Sequence, residues 1–90
     1  PVLILQNDIG NKYSPTTIVA CITTKVYQKH KIPTHIEITD QFCGLPKNSM
    51  VLLEQLRTID KSRLKHKMGD INLLDDIISI EKGLKVSLGL

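Results

Sequence analysis

The chain has 90 residues, a length that favours one domain with a modest core. Apolar residues make up 41% of it, but aromatics only 3%, with no Trp. Leu, Ile and Val must therefore fill the core, and RNA binding by an aromatic stacking platform is disfavoured. The net charge of +3 suits an acidic partner such as RNA, and equally suits a small domain with no nucleic-acid role.

In chain order, Val2 to Leu5 is a β-branched and leucine run without a helix cap and reads as a strand. Asn7-Asp8-Ile9-Gly10-Asn11 is turn chemistry, extended by Ser14-Pro15. Thr16 to Thr23 is apolar at nearly every position, as a central strand is. Lys25 to Lys31 reads as a polar, basic loop. Pro33 suits the start of a strand, and Thr34 to Thr39 alternates, with Ile36 and Ile38 on one face and His35, Glu37 and Thr39 on the other. Cys43 to Asn48 reads as a turn. Met50 to Ile59 is a long strand, apolar at first and then mixed with Glu54, Gln55 and Arg57. Asp60 can cap a helical turn over Lys61 to Arg63. Beyond the break at Gly69-Asp70, an apolar stripe through Leu74, Ile77, Ile78, Leu84 and Leu88 predicts a helix over about Leu73 to Leu88. Its last part, Lys85 to Leu90, is also compatible with an extended tail. Ile18, Ile36, Ile38 and Leu52 are the expected buried positions.

Cys21 and Cys43 form no CxxC pair, and free thiols in a reducing cytoplasm are the simplest reading. No stretch is long enough to span a membrane, and no basic segment leads into a signal-peptide core. His30, His35 and His66 are not spaced as metal ligands. Gly10 stands alone, without a phosphate-binding loop around it. Arg57, Lys61, Arg63, Lys65, His66 and Lys67 form the densest positive segment, which is either a solvated face or a phosphate track. Thr23 ends an apolar strand. Its hydroxyl is well placed to donate to an anion, although threonine is also a common strand residue for its β-propensity alone. Glu54, Gln55 and Arg57 form either a polar patch above a barrel or the solvated end of a strand.

Three blocks, in order and at similar spacing, resemble the MazF/PemK/Kid ribonuclease toxins: Gln6 to Thr23 (QNDIGNKYSPTTIVACIT), Pro33 to Ile38 (PTHIEI) and Leu52 to Asp60 (LLEQLRTID). The terminal helix with SLGL at Ser87 to Leu90 matches as well. The resemblance covers nearly the whole chain and implies a single domain over residues 1–90, mainly β, with an SH3-like barrel and a C-terminal helix. It implies a metal-independent endoribonuclease, without a cofactor, that cuts single-stranded RNA. In that chemistry the ribose 2′-OH attacks the adjacent phosphate and leaves a 2′,3′-cyclic phosphate. It further implies a homodimer, and a small acidic antitoxin as partner. Thr23 matches the family's catalytic threonine. Thr34, His35, Ser49, Glu54, Gln55 and Arg57 match positions around the RNA groove, with Glu54 and Gln55 suited to reading base edges. Asn11 and Lys12 lie where RNA or the dimer partner would pass. The family's first hairpin and the arginine before its PVL block would precede Pro1. A competing expectation is a non-catalytic module of the CcdB type, which shares the fold and acts by protein contact.

Overall fold

A computed structural model describes residues 1–6, 8–24, 32–40, 43–46 and 48–90. The expected basic loop at 25–31 lies outside them. Four strands, β1 (Val2–Ile4), β2 (Thr16–Thr23), β3 (His35–Glu37) and β4 (Met50–Asp60), form one antiparallel sheet in the order β1-β2-β4-β3. A short helix, α1 (Asp8–Tyr13), links β1 to β2. A 3₁₀ turn, Lys61–Arg63, follows β4, and α2 (Leu74–Leu88) closes the chain. The sheet is a half-barrel with α2 against one face.

The long apolar runs occupy the centre of the sheet, where both neighbours satisfy their backbone groups. Ala20, Ile22, Val51, Leu53 and Ile80 form the core, with Leu3, Ile36, Ile38, Leu56 and Leu84 packed around it. The cross-strand row Ile22, Val51 and Ile36 carries this face. Directly opposed residues share a face and successive rows alternate. The rows on either side, Cys21–Leu52–His35 and Thr23–Met50–Glu37, therefore point to the other face of the sheet, where Met50 is itself buried.

The β2–β4 register shifts abruptly. Ala20 opposes Leu56, yet Cys21 opposes Leu52, leaving Leu53, Glu54 and Gln55 without a partner on β2. Extra residues on one strand bend it and tighten its twist. Leu53 turns fully into the core, and its N–H bonds to the Thr34 carbonyl at 2.9 Å. The outward arc of β4 is thereby brought beside the start of β3.

Helix α2 begins one residue after the expected position and runs through Leu88 rather than fraying into a tail. Gly89, at φ 72°, ends it in the left-handed conformation, and its N–H caps the Lys85 and Val86 carbonyls. The buried stripe is Asp76, Ile80 and Gly83, whereas Leu74, Ile78 and Leu88 are exposed. Buried Asp76 accepts from the Thr39 N–H at 3.1 Å, the Thr39 hydroxyl at 2.7 Å and the Asp40 N–H at 3.0 Å, which fastens the strand exit to the helix. The Ser87 hydroxyl donates to the Leu53 carbonyl at 2.8 Å, tying the far end of the helix to the bent strand.

Gly83 sits where α2 meets the sheet. A β-carbon there would lie 2.5 Å from Leu53 Cδ1 and 3.2 Å from Ile36 Cδ1. Helix propensity alone favours alanine over glycine by about 1 kcal/mol, but forcing a methyl against a buried leucine costs about 1–3 kcal/mol. Gly83→Ala is expected to lower stability by about 1 kcal/mol in urea unfolding. A gain in stability would show that Leu53 yields freely.

Three expectations are corrected. Where a turn was expected, α1 forms. Asn11 holds it from both sides, donating to the Gln6 carbonyl at 2.9 Å and accepting from the Thr17 hydroxyl at 2.7 Å. Asn11 thus has a structural task within this segment. Ile18 is 40% exposed, because α2 does not extend over its end of β2. The third strand is shorter than Thr34 to Thr39, although hydrogen bonds from Leu53 to Thr34 and from Ile38 to Ser49 continue the ladder beyond it.

Candidate functional site

The face opposite the core gathers polar side chains that the sequence scatters over thirty or so positions. Thr23 is the last residue of β2, half-buried, and opposes Met50. His35 opens β3 and opposes Leu52, one row-pair away on the same face. With strands about 4.8 Å apart and a rise of about 3.3 Å per residue, Thr23 and His35 lie on the order of 12 Å from each other. That spacing suits successive groups of an extended chain, not a single reacting atom.

Glu54 stands on the unpaired arc of β4. Its Oε2 accepts from the Thr34 hydroxyl at 3.0 Å and its Oε1 from His35 Nε2 at 2.5 Å. Because an ionised carboxylate only accepts, His35 Nε2 carries the proton in this pair. Partial burial pushes the Glu54 pKa up. Its own backbone N–H, the His35 and Thr34 bonds and the charge of His35 together outweigh this and hold it below its ordinary value of 4.5. Glu54 is therefore a fixed, negatively charged acceptor at neutral pH.

Gln55 is exposed on the same arc, next to Glu54. Arg57 is exposed and opposes Val19. Four residues along β2 separate it from the row of Thr23, about 13 Å. The basic run beyond it is largely solvated, and Lys67 pairs with Asp70 at 2.9 Å. Thr34 is 8% exposed, and its hydroxyl serves Glu54. Ser49 is 1% exposed and donates to the Pro46 carbonyl at 2.6 Å, bracing the turn that leads into β4. Gly44 permits that turn, with φ at 88° and the Met68 carbonyl pressed against it.

The structure thus brings Thr34, His35 and Glu54 together, sets Gln55 beside them, and keeps Thr23 and Arg57 at two separate points of the same face. Beside Glu37 a groove of about 370 Å³ is lined by Glu37, Ile38, Thr39, Asp40, Leu45, Pro46 and Asn48. Its two carboxylates make it a poor phosphate track. Among the described residues no three His, Cys, Asp or Glu side chains gather to hold a metal ion. Both cysteines are free thiols, and buried Cys43 donates to the Asp40 carbonyl. No helix among the described residues is long and apolar enough to cross a membrane.

Sequence reasoning missed two polar arrangements. Asp76 reads as an ordinary acidic residue in the first turn of a helix, and nothing local marks it as buried. Thr34 reads as an RNA contact, and only the bend of β4 reveals its carboxylate partner.

Several known proteins resemble the chain in sequence and fold. The chain is 52% identical over 90 residues to the endoribonuclease MazF of Staphylococcus epidermidis, a match covering 100% of this chain and 73% of that protein. A solved MazF toxin of Mycobacterium tuberculosis superimposes with a TM-score of 0.84 at 26% identity, over 100% of this chain and 86% of the other. A mycobacterial endoribonuclease solved in complex with its cognate antitoxin gives a TM-score of 0.85 at 23% identity, over 100% and 81%. The half-barrel and its helix therefore have the SH3-like barrel fold of these toxins. The model of the PemK-like, MazF-like toxins matches residues 1–88, and the chain accordingly belongs to that family of type II toxin–antitoxin systems.

Proposed function

We propose that this protein is a sequence-specific endoribonuclease toxin that cuts single-stranded messenger RNA in the cytoplasm without a metal ion. The observation that carries the reading is the shared face of Thr23 and His35, with Glu54 hydrogen-bonded to His35, in a chain of this family. Thr23 is the residue that touches the scissile phosphate. Its hydroxyl donates to a non-bridging oxygen as the 2′-OH attacks and negative charge builds on the phosphorane. Glu54 and Gln55 read base edges through their carboxylate and amide, and His35 and Arg57 flank them along the strand. Thr34 and Ser49 act from behind this surface, one behind Glu54 and the other within the turn.

The protein works as a homodimer. The exposed apolar side chains of α2, Leu74, Ile78, Val86 and Leu88, support pairing, since a small domain gains from covering them. An acidic antitoxin with an extended tail is the partner that fits the basic chain and its polar face. This proposal draws on the mycobacterial relative, which was solved with its cognate antitoxin.

The test is cleavage of single-stranded RNA by the full-length protein in EDTA, against the same oligonucleotide with one 2′-deoxy sugar at the cut position. The RNA should be cut and the deoxy substrate should survive. Equal cutting of both would exclude the 2′-OH as nucleophile, and loss of all activity in EDTA would exclude the metal-independent route.

A further inference from the structure

Glu54 is held at both oxygens before any ligand arrives. Thr34, nearly buried, donates to one at 3.0 Å, and His35 donates to the other at 2.5 Å. The side chains of His35 and Glu54 remain 23% and 38% exposed. A carboxylate offers about four lone-pair sites. Two are taken by these donors and a third by its own backbone N–H, which leaves one for a ligand. The arc that carries Glu54 has no ladder partner on β2, so its outer side is open to a strand lying along this face.

A fixed anion there repels phosphate and seeks N–H donors. Nucleobases differ in this respect. Cytosine, adenine and guanine carry exocyclic amino groups, and carboxylates characteristically accept from the cytosine amino group. Uracil has none, and its one ring N–H lies between two carbonyl oxygens that would face the carboxylate with like partial charge. An unheld glutamate would lose rotamer freedom on meeting a base. One already clamped loses little, and it presents its acceptor in a single direction.

We infer that Thr34 and His35 are positioning residues that fix Glu54 as the acceptor for the exocyclic amino group of one nucleobase in the substrate, so that this subsite takes adenine, cytosine or guanine and rejects uracil. The inference rests on the RNA-cleaving reading above. It gives Thr34 the role of support for the reader in place of a direct RNA contact.

The test uses the full-length native protein and synthetic RNA containing its cut site, which is first found in a randomised pool. Each amino-bearing base is replaced in turn by its amino-less analogue: purine for adenine, 2-pyrimidinone for cytosine, hypoxanthine for guanine. At one position kcat/KM should fall about 10- to 100-fold, the range for losing a good base contact. In Glu54→Ala the same replacement should change kcat/KM less than about twofold, because the acceptor is already gone. Thr34→Val should lessen the discrimination several-fold, and Thr34→Ser, which keeps the hydroxyl, should restore it; a merely structural role for Thr34 would leave the ratio between the two substrates unchanged. RNA cleavage by native protein with no position sensitive to amino removal would overturn the inference and leave the functional reading standing. Undiminished sensitivity in Glu54→Ala would assign the amino contact to another residue. A native protein that cuts no RNA would overturn the functional reading and this inference with it.

Discussion

Thr23→Ala is expected to lower the rate of RNA cleavage roughly ten- to several-hundred-fold, the worth of a charge-assisted hydrogen bond made mainly in the transition state. KM should move little, because the hydroxyl meets charge that is only partly developed in the bound substrate. The melting temperature should stay close to that of the native protein. Thr23 is the last, half-buried residue of β2, while the core rests on Ile22 and Val51 in the next row. Thr23→Ser, which keeps the donor, should recover most of the rate. A rate within threefold of native for the alanine variant, measured in single turnover, would remove Thr23 from the chemistry.

The largest stability effect is expected far from that hydroxyl, at Asp76. This carboxylate is 2% exposed and receives two backbone N–H groups and one hydroxyl from Thr39 and Asp40. Asp76→Ala removes the acceptor from all of them at once. A buried donor deprived of its partner costs about 1–3 kcal/mol; Thr39 is exposed and Asp40 half-buried, so water recovers part of this. A net loss of about 3 kcal/mol would lower the melting temperature by roughly 15 °C in a domain of this size. That is a large share of the roughly 5–15 kcal/mol that keeps such a domain folded. Asp76→Asn, which retains one carbonyl oxygen, should lose less. If calorimetry finds the alanine variant melting within 3 °C of native, the segment 39–40 is held by other means.

The long elements were legible from the chain because their patterns are unambiguous. Thr16 to Thr23 is apolar at nearly every position, as a central strand is, Met50 to Ile59 opens on an apolar run, and the spacing of apolar residues in α2 marks a helix even though several of them are exposed. What failed to show was anything settled by contacts between distant residues. The Asn7-to-Asn11 segment has the composition of a turn, and its helix depends on Asn11 meeting Gln6 and Thr17. Ile18 has the alternation of a core residue but lies past the end of the covering helix. The run LLEQLR at Leu52 to Arg57 contains no glycine or proline to announce a bend, yet the register changes there. The meeting of Thr34 and His35 with Glu54 depends on that change, across a separation of 19 or 20 residues. The candidate residues were named by resemblance. Their division into exposed and supporting side chains required the fold.

The bend of β4 also separates two kinds of inheritance within one strand. Leu53 is bound to the core and cannot change without disturbing every neighbour. Glu54 and Gln55 next to it belong to no ladder with β2 and carry little of the packing. Substitutions at those two positions are therefore expected to leave the barrel intact, and under the proposed reading to change which RNA sequence is cut. Under the proposed base-reading role, a lineage of such toxins would diversify the messages it destroys by drifting at two codons, with the architecture beneath held constant.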